Sequence, residues 1–201
     1  QASDAAASGS MAREQWFTEI TSSTGIRHFY KEVDFIDFNI QRLIPHKFSQ
    51  YGPSMAVGDI NADGLDDLVI GGGSPFFATV YTQQANGKFV SKPLAVSDEI
   101  KYQDDGGLCL LDAEGDGDLD LYVASGGGEN EPQSKAYADH FYENDGKGNF
   151  KELALPVCNN RATKGAVRAA DYDNDGDLDL FVAGRFIPGR YPMPASSFLY
   201  R

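Results

Sequence analysis

The sequence predicts an all-β protein built of repeated, four-stranded antiparallel sheets. Three acidic loops, each lying between two apolar runs of strand type, recur along the chain with first aspartates at Asp59, Asp112 and Asp171. Their spacings of 53 and 59 residues are about the length that four short strands and their turns occupy. Hydrophobic residues make up 41% of the chain, which is enough for a folded core. We therefore interpret each repeat as one blade of a β-propeller.

The charge of the chain is concentrated in the three loops. The 201 residues include 30 acidic and 17 basic side chains, for a net charge of −13. Fourteen of the acids lie in residues 59–67, 112–120 and 171–179, so the remainder of the chain is nearly neutral. No basic patch of the kind that binds nucleic acid is present, and no apolar run reaches the roughly 18 residues of a membrane span. The sequence therefore argues against a nucleic-acid-binding protein and against a membrane-spanning one.

Ahead of the first loop, residues 1–15 are small and polar, and we predict a disordered segment or a linker. Residues 16–53 are predicted to supply one strand and an excursion. The strand is placed at residues 16–21 (WFTEIT), because its aromatic, alternating pattern resembles the last strands of the later blades.

Two complete blades and one incomplete blade are predicted to follow, over residues 54–105, 106–165 and 166–201. In the first two, Asn86-Gly87 and Asp145-Gly146 lie between β-forming residues and indicate hairpins. The third repeat ends after its third strand at residues 197–200 (SFLY). Because propellers have four to eight blades, the chain is predicted to be a partial propeller, completed by further blades or by another copy.

Each loop places oxygen-bearing residues at positions 1, 3, 5, 7 and 9 around a glycine at position 6. Calcium takes six to eight such oxygens at about 2.3–2.6 Å, and position 7 would supply its backbone carbonyl. An EF-hand is rejected because Ile70, Val123 and Val182 stand where that motif needs glutamate. Magnesium is the weaker candidate, and an acidic turn without metal is the remaining alternative. The predicted ligands of about three Ca²⁺ ions are Asp59, Asn61, Asp63, Leu65, Asp67, Asp112, Glu114, Asp116, Asp118, Asp120, Asp171, Asp173, Asp175, Asp177 and Asp179.

These loops resemble the FG-GAP/VCBS repeat family, over roughly residues 54–201. A narrower resemblance, to secreted VCBS-repeat proteins with ASPIC/UnbV domains from Bacteroidota, rests on residues 35–53 and 184–192. The resemblance implies an integrin-like propeller of about seven or eight blades within a larger extracellular or cell-surface protein. It also implies calcium between the first two strands of each blade and brings no established catalytic residues. Glu114 departs from the usual Asp or Asn, and its longer arm is expected to distort or weaken the second site.

The favoured function is an extracellular calcium-binding module that binds a glycan or a surface protein, with Ca²⁺ in a structural role. Residues 128–140 and 185–194, with Arg190 and Tyr191, are the candidate partner-binding excursions or else rigid structural loops. The alternatives are a fragment of a secreted polysaccharide-degrading enzyme, with catalytic residues elsewhere, and a purely structural repeat. Cys109 and Cys158 are predicted to be buried strand thiols or a disulfide.

Overall fold

The computed structural model of the protein describes residues 16–95, 100–155 and 161–201, and within these ranges it is almost entirely β. Sheet one has the order β1 (Met55–Gly58), β2 (Asp67–Ile70), β3 (Thr79–Gln83) and β4 (Phe89–Pro93). Sheet two has the order β5 (Asp104–Leu111), β6 (Asp120–Gly126), β7 (His140–Asn144) and β8 (Phe150–Leu153). Sheet three has β10 (Asp179–Phe186) between β9 (Thr163–Ala170) and β11 (Phe198–Tyr200).

All neighbouring strands pair in antiparallel register, which confirms the predicted fold class of four-stranded propeller-type blades. The helical content of the described residues is short: α1 (Thr21–Thr24) and two 3₁₀ turns at Asp37–Asn39 and Lys135–Tyr137. β5 and β9 begin at Asp104 and Thr163, slightly before the predicted blade starts at 106 and 166. Both strands extend through a register irregularity near their first residues, which a pattern of alternating side chains does not reveal.

The predicted strand at residues 16–21 is wrong. Residues 16–20 are irregular, and α1 begins at Thr21. The carboxylate of Glu19 accepts the Thr21 N–H at 2.6 Å, and the carbonyl of Ile20 accepts the Ser23 N–H at 2.9 Å. These local bonds satisfy backbone groups that a strand would use for pairing. Sheet three consequently has three strands among the described residues.

Sheet two lies between the other two sheets, and every residue of β6 is buried. Because side chains alternate across a strand, its Leu121 and Val123 face a core shared with sheet one. Tyr122 and Ala124 face a second core shared with sheet three. The two cores fix the order of the blades and place their three acidic loops in equivalent positions.

The outer faces of the two end sheets carry exposed apolar side chains. In β1, Met55 and Val57 are 58% and 52% exposed. A Cβ at Gly58 would lie 2.7 Å from Leu119 of the second blade's loop, so the alternate residues of β1 point away from that blade. In β10, Phe181 is 47% exposed and pairs with Leu199 of β11, which is 46% exposed.

Candidate functional site: three acidic loops

The three loops join the first and second strands of their sheets and share one hydrogen-bond pattern. In the first loop, the carboxylate of Asp59 accepts the N–H groups of Asp63 and Gly64 at 3.2 and 2.8 Å. The Asp63 carboxylate accepts the Leu65 N–H at 2.9 Å. Asp112 and Asp116 make the same bonds in the second loop, as do Asp171 and Asp175 in the third. The carboxylates at positions 1 and 5 therefore fold the loop around themselves.

The backbone of the loops also repeats. The glycines at position 6, Gly64, Gly117 and Gly176, have φ of 83°, 95° and 100°. Position 4 is also left-handed, with φ of 58° at Ala62, 75° at Gly115 and 61° at Asn174. Glycine adopts this region without steric cost and asparagine tolerates it, whereas alanine at position 4 is strained.

The aspartate at position 9 ties the first and second loops to the third strands of their sheets. Asp67 and Asp120 are fully buried, and burial raises the pKa of Asp67. Asp67 accepts the N–H of Ile60 in the loop at 3.2 Å and that of Gln83 in β3 at 2.7 Å. Asp120 repeats both bonds, with Ala113 and with Asn144 of β7. Sequence reasoning assigned these residues only as ligands and missed this link to the third strand.

The third loop brings three carboxylates together. Oxygens of Asp171, Asp173 and Asp179, at positions 1, 3 and 9, all lie within 4.8 Å of one another, the one such set of acids, histidines or cysteines in the described parts of the chain. The Oδ1 atoms of Asp118 and Asp173 are shielded from solvent without a hydrogen-bond partner. Clustered carboxylate oxygens with free lone pairs suit a hard divalent cation. Loops one and two do not show this grouping.

One position on the third strand gives each loop a different charge. Leu68, Leu121 and Leu180 pair with tyrosines of β3, β7 and β11, and the residues after those tyrosines are Thr82, Glu143 and Arg201. Arg201 contacts Asp173, lies 3.2 Å from Asp175, and its Nε lies 3.8 Å from Asp179. The third loop therefore has a built-in positive partner, the second a further acid and the first a neutral hydroxyl.

Glu114 in the second loop is turned towards Asp120. A hydrogen bond with Asp120, together with some desolvation and the neighbouring acidic charges, raises the pKa of Glu114 to about 7. The longer side chain thus reaches a carboxylate that already binds the loop to β7. This contact is consistent with the expected distortion of the second site, which remains a prediction.

The candidate partner-binding excursions are anchored to the blades. In residues 128–140, Tyr137 is fully buried and its hydroxyl accepts the Asn130 N–H at 3.1 Å. In residues 185–194, the Tyr191 N–H donates to Gln41 at 2.9 Å, whereas Arg190 is exposed. Rigid support of this kind is compatible with either role that the sequence left open.

Buried charges at the starts of the first strands were not foreseen. Lys101 pairs with Asp105 at 2.8 Å and Lys164 with Asp139 at 2.9 Å, and all four side chains are at most 4% exposed. Asp104 and Glu129 adjoin one another, and burial with the Asp104 charge raises the pKa of Glu129 to about 8. These partners are 4 or 25 residues apart, and no local motif predicts the pairs.

The structure describes one of the two cysteines. Cys109 lies in β5, half-buried, and burial raises the pKa of its thiol. Cys158 lies outside the described residues, so the choice between free thiols and a disulfide stays open. The predicted linker over residues 1–15 also lies outside them.

The repeated strand–loop–strand geometry coincides with a family match. The family model of FG-GAP-like repeats matches residues 59–123 and 112–182, each match beginning at the first aspartate of a loop. These matches cover more than half of the chain, and the protein belongs to the FG-GAP-like repeat family.

Among individual proteins, the chain is similar to cartilage acidic protein 1 of Mus musculus, with 27% identity over 131 residues. The matched region is 65% of this chain and 19% of the mouse protein, so the chain spans about a fifth of that relative's length. No helix in the described ranges has the length and apolar character needed to cross a membrane.

Proposed function

We propose that the chain is a calcium-stabilised β-propeller module that presents a binding surface outside the cell. The observation that supports this most directly is the same loop conformation in three successive blades, with Asp171, Asp173 and Asp179 converging in the third. The first loop would hold calcium through Asp59, Asn61, Asp63, Leu65 and Asp67, and the other loops through the equivalent residues.

The crowded carboxylates of the loops indicate what a bound ion would do. Four or five carboxylates crowd into nine residues of each loop, and like charges at such distances are destabilising unless a cation neutralises them. A bound calcium ion would supply charge neutralisation and would lock the loop. Three ions would change the formal charge from −13 to −7.

An extracellular or cell-surface location and a glycan or surface-protein partner complete this proposal. The name of the mouse relative, which refers to cartilage, supports a location outside the cell. The narrower kinship with secreted ASPIC/UnbV-type proteins is part of the same proposal. A role as a fragment of a polysaccharide-degrading enzyme is the second candidate, since catalytic groups would then lie on other blades.

The exposed apolar faces of the end sheets support completion of the propeller by further blades or by another copy. Met55 and Val57 lie on one end face, and Phe181 and Leu199 on the other. Side chains of this kind fill the cores between blades one, two and three. Contiguous apolar surface of this type is uncommon on a finished monomer.

The calcium proposal is tested by thermal unfolding in 2 mM Ca²⁺, in 2 mM Mg²⁺ and in EDTA. Extracellular calcium modules bind with Kd of about 10⁻⁴–10⁻³ M, which stabilises the folded state by about 1 kcal/mol per site. We expect calcium to raise Tm by several degrees and magnesium to raise it less. The replacement Asp173→Ala, which removes the ligand oxygens, should reduce the calcium shift, whereas Asp66→Ala, at the exposed position 8, should not. An EDTA-insensitive Tm, with no metal retained by the protein, would contradict the proposal.

A further inference from the structure

The starts of the first strands of the three blades form a pocket. Pro53, Gly106 and Gly165 each precede the first aspartate of their loop by the same number of residues, so they are equivalent positions of the repeat. All three line one open cavity of about 370 Å³, together with residues 51–54, Ala166 and Arg185. A volume of this size is within the range of small-ligand sites.

Arg185 is where the third blade departs from the repeat. The residues equivalent to Arg185 in the first and second blades are Gly73 and Gly126. A charged side chain therefore enters the pocket from the third blade only. Its guanidinium carbon lies 4.0 Å from the centre of the Tyr51 ring. Stacking on an aromatic face holds the guanidinium plane and leaves its N–H edge able to bind an anion.

Arg185 has no acidic partner among the residues that the structure describes. None of their carboxylate oxygens forms an ion pair with it within 4.0 Å, although the chain has 30 acids to 17 bases. The side chain is half-buried, and desolvation lowers its pKa. Tyr51, which stacks on the guanidinium and hydrogen-bonds to it, is the partner that the structure gives this cation, and the rest of the fork can bind an anion from outside the chain.

The pocket wall also offers backbone polar groups. Gly106 and Gly165 fall in the irregular parts of β5 and β9, where neither has a partner in the strand register. A Cβ at Gly165 would lie 3.0 Å from Cδ of Arg185, so the glycine leaves room for the arginine stem. The Ser54 hydroxyl lines the same cavity and, because it donates its proton to the Asp105 carbonyl, can still accept a hydrogen bond from a ligand.

We propose that this pocket binds the carboxylate group of an acidic sugar. The arginine fork takes the carboxylate, and the Ser54 hydroxyl and the backbone of the wall are placed to bond the hydroxyls of the sugar. The inference deepens the proposed binding function by naming the ligand class, and it rests on that function.

The test is a calorimetric titration of the full chain with D-glucuronate and with D-glucose, in low salt with 2 mM Ca²⁺. We expect glucuronate to bind at least tenfold more tightly than glucose, with an affinity that falls as salt is added. The replacement Arg185→Gln should weaken glucuronate binding at least tenfold. Arg185→Gly, which restores the residue type of the other blades, should do the same. Arg27→Gln, which changes an exposed arginine that does not line the pocket, should leave the affinity unchanged.

Several results would overturn the inference. These are equal binding of glucuronate and glucose, no binding of glucuronate up to about 10 mM, or equal losses in Arg185→Gln and Arg27→Gln. Binding of N-acetylaspartate or inorganic phosphate without glucuronate would overturn the assignment to a sugar. Repeating the titration in EDTA separates the two proposals. If binding depends on Arg185 but Tm is insensitive to EDTA, only the calcium proposal is contradicted. If Tm depends on calcium but glucuronate does not bind, only the proposal for the pocket is contradicted.

Discussion

At the scale of single residues, the acidic side chains of a loop divide into different tasks. Asp59 and Asp63 fold the loop by accepting its N–H groups, whereas Asp67 is buried and joins the loop to β3. Asp66, between them in sequence, is exposed. Neighbouring residues of one type therefore have very different value for stability.

The adjacent pair Asp66 and Asp67 tests this division. In Asp67→Asn the amide presents an N–H₂ group to a backbone N–H, so one of two buried bonds is lost. We expect a loss of about 1–3 kcal/mol in the free energy of unfolding, measured by urea titration in EDTA. Asp66→Asn should change it by no more than about 0.5 kcal/mol. Equal losses would show that the buried bonds are unimportant.

A second residue-scale prediction concerns pH. Burial beside Asp104 raises the pKa of Glu129 from 4.5 to about 8, so the folded state holds a proton that the unfolded state releases. The resulting stability is complete below about pH 4.5 and is lost as pH rises towards 8.

We expect Glu129→Gln to flatten the fall in stability between pH 5 and 8, measured by urea titration at several pH values. Glu131→Gln, at an exposed position of the same excursion, is the control and should keep the slope of the unmodified protein. An unchanged slope in Glu129→Gln would refute the assignment.

At the scale of elements, the three loops share one backbone conformation, but their residues tolerate it to different degrees. Position 4 is left-handed in all three, but it is occupied by Ala62, Gly115 and Asn174. Glycine and asparagine tolerate this conformation, whereas alanine is strained there. The first loop thus stores strain that the second does not.

Reciprocal replacements measure that strain. Ala62→Gly should stabilise the protein by about 0.5–1 kcal/mol, because the relief of a left-handed L-residue exceeds the entropy that glycine loses. Gly115→Ala should destabilise it by a similar amount. Thermal unfolding in EDTA gives both values. Changes of the same sign in the two variants would contradict the shared backbone.

At the scale of the whole molecule, two cores hold three blades in a row and leave an apolar face at each end. The middle blade buries both faces, so β6 is buried along its length although it belongs to an antiparallel sheet. The end blades leave apolar side chains exposed on their outer faces, although Ile70 and Tyr81 on the outer face of sheet one are buried. The row therefore resembles a section of a larger assembly.

These end faces predict self-association of the chain in solution. We expect the weight-average mass from sedimentation velocity to rise with protein concentration. The double replacement Phe181→Ser and Leu199→Ser, on one end face, should reduce this rise. Tyr172→Ser removes a still more exposed aromatic side chain from a loop and is the control. A mass independent of concentration would contradict the prediction.

The sequence by itself determined the repeat, its antiparallel strands and the conformation of the acidic loops. These features are local: each nine-residue loop folds through its own aspartates and glycines, and the hairpins follow from Asn-Gly and Asp-Gly pairs. Residues 16–21 show the limit of such reasoning. Their alternating pattern is typical of a strand, but local hydrogen bonds hold them in an irregular segment that leads into α1.

Only the tertiary structure decided what distant segments do together. The bond from Asp120 to Asn144, the buried pair of Lys164 and Asp139, and the stacking of Arg185 on Tyr51 join residues 24 to 134 positions apart. Such contacts depend on how the blades pack and on the register of their strands, and no fixed spacing in the sequence records them. The loops are therefore encoded locally, whereas the charges at the strand starts and the pocket arise from the packing of three blades.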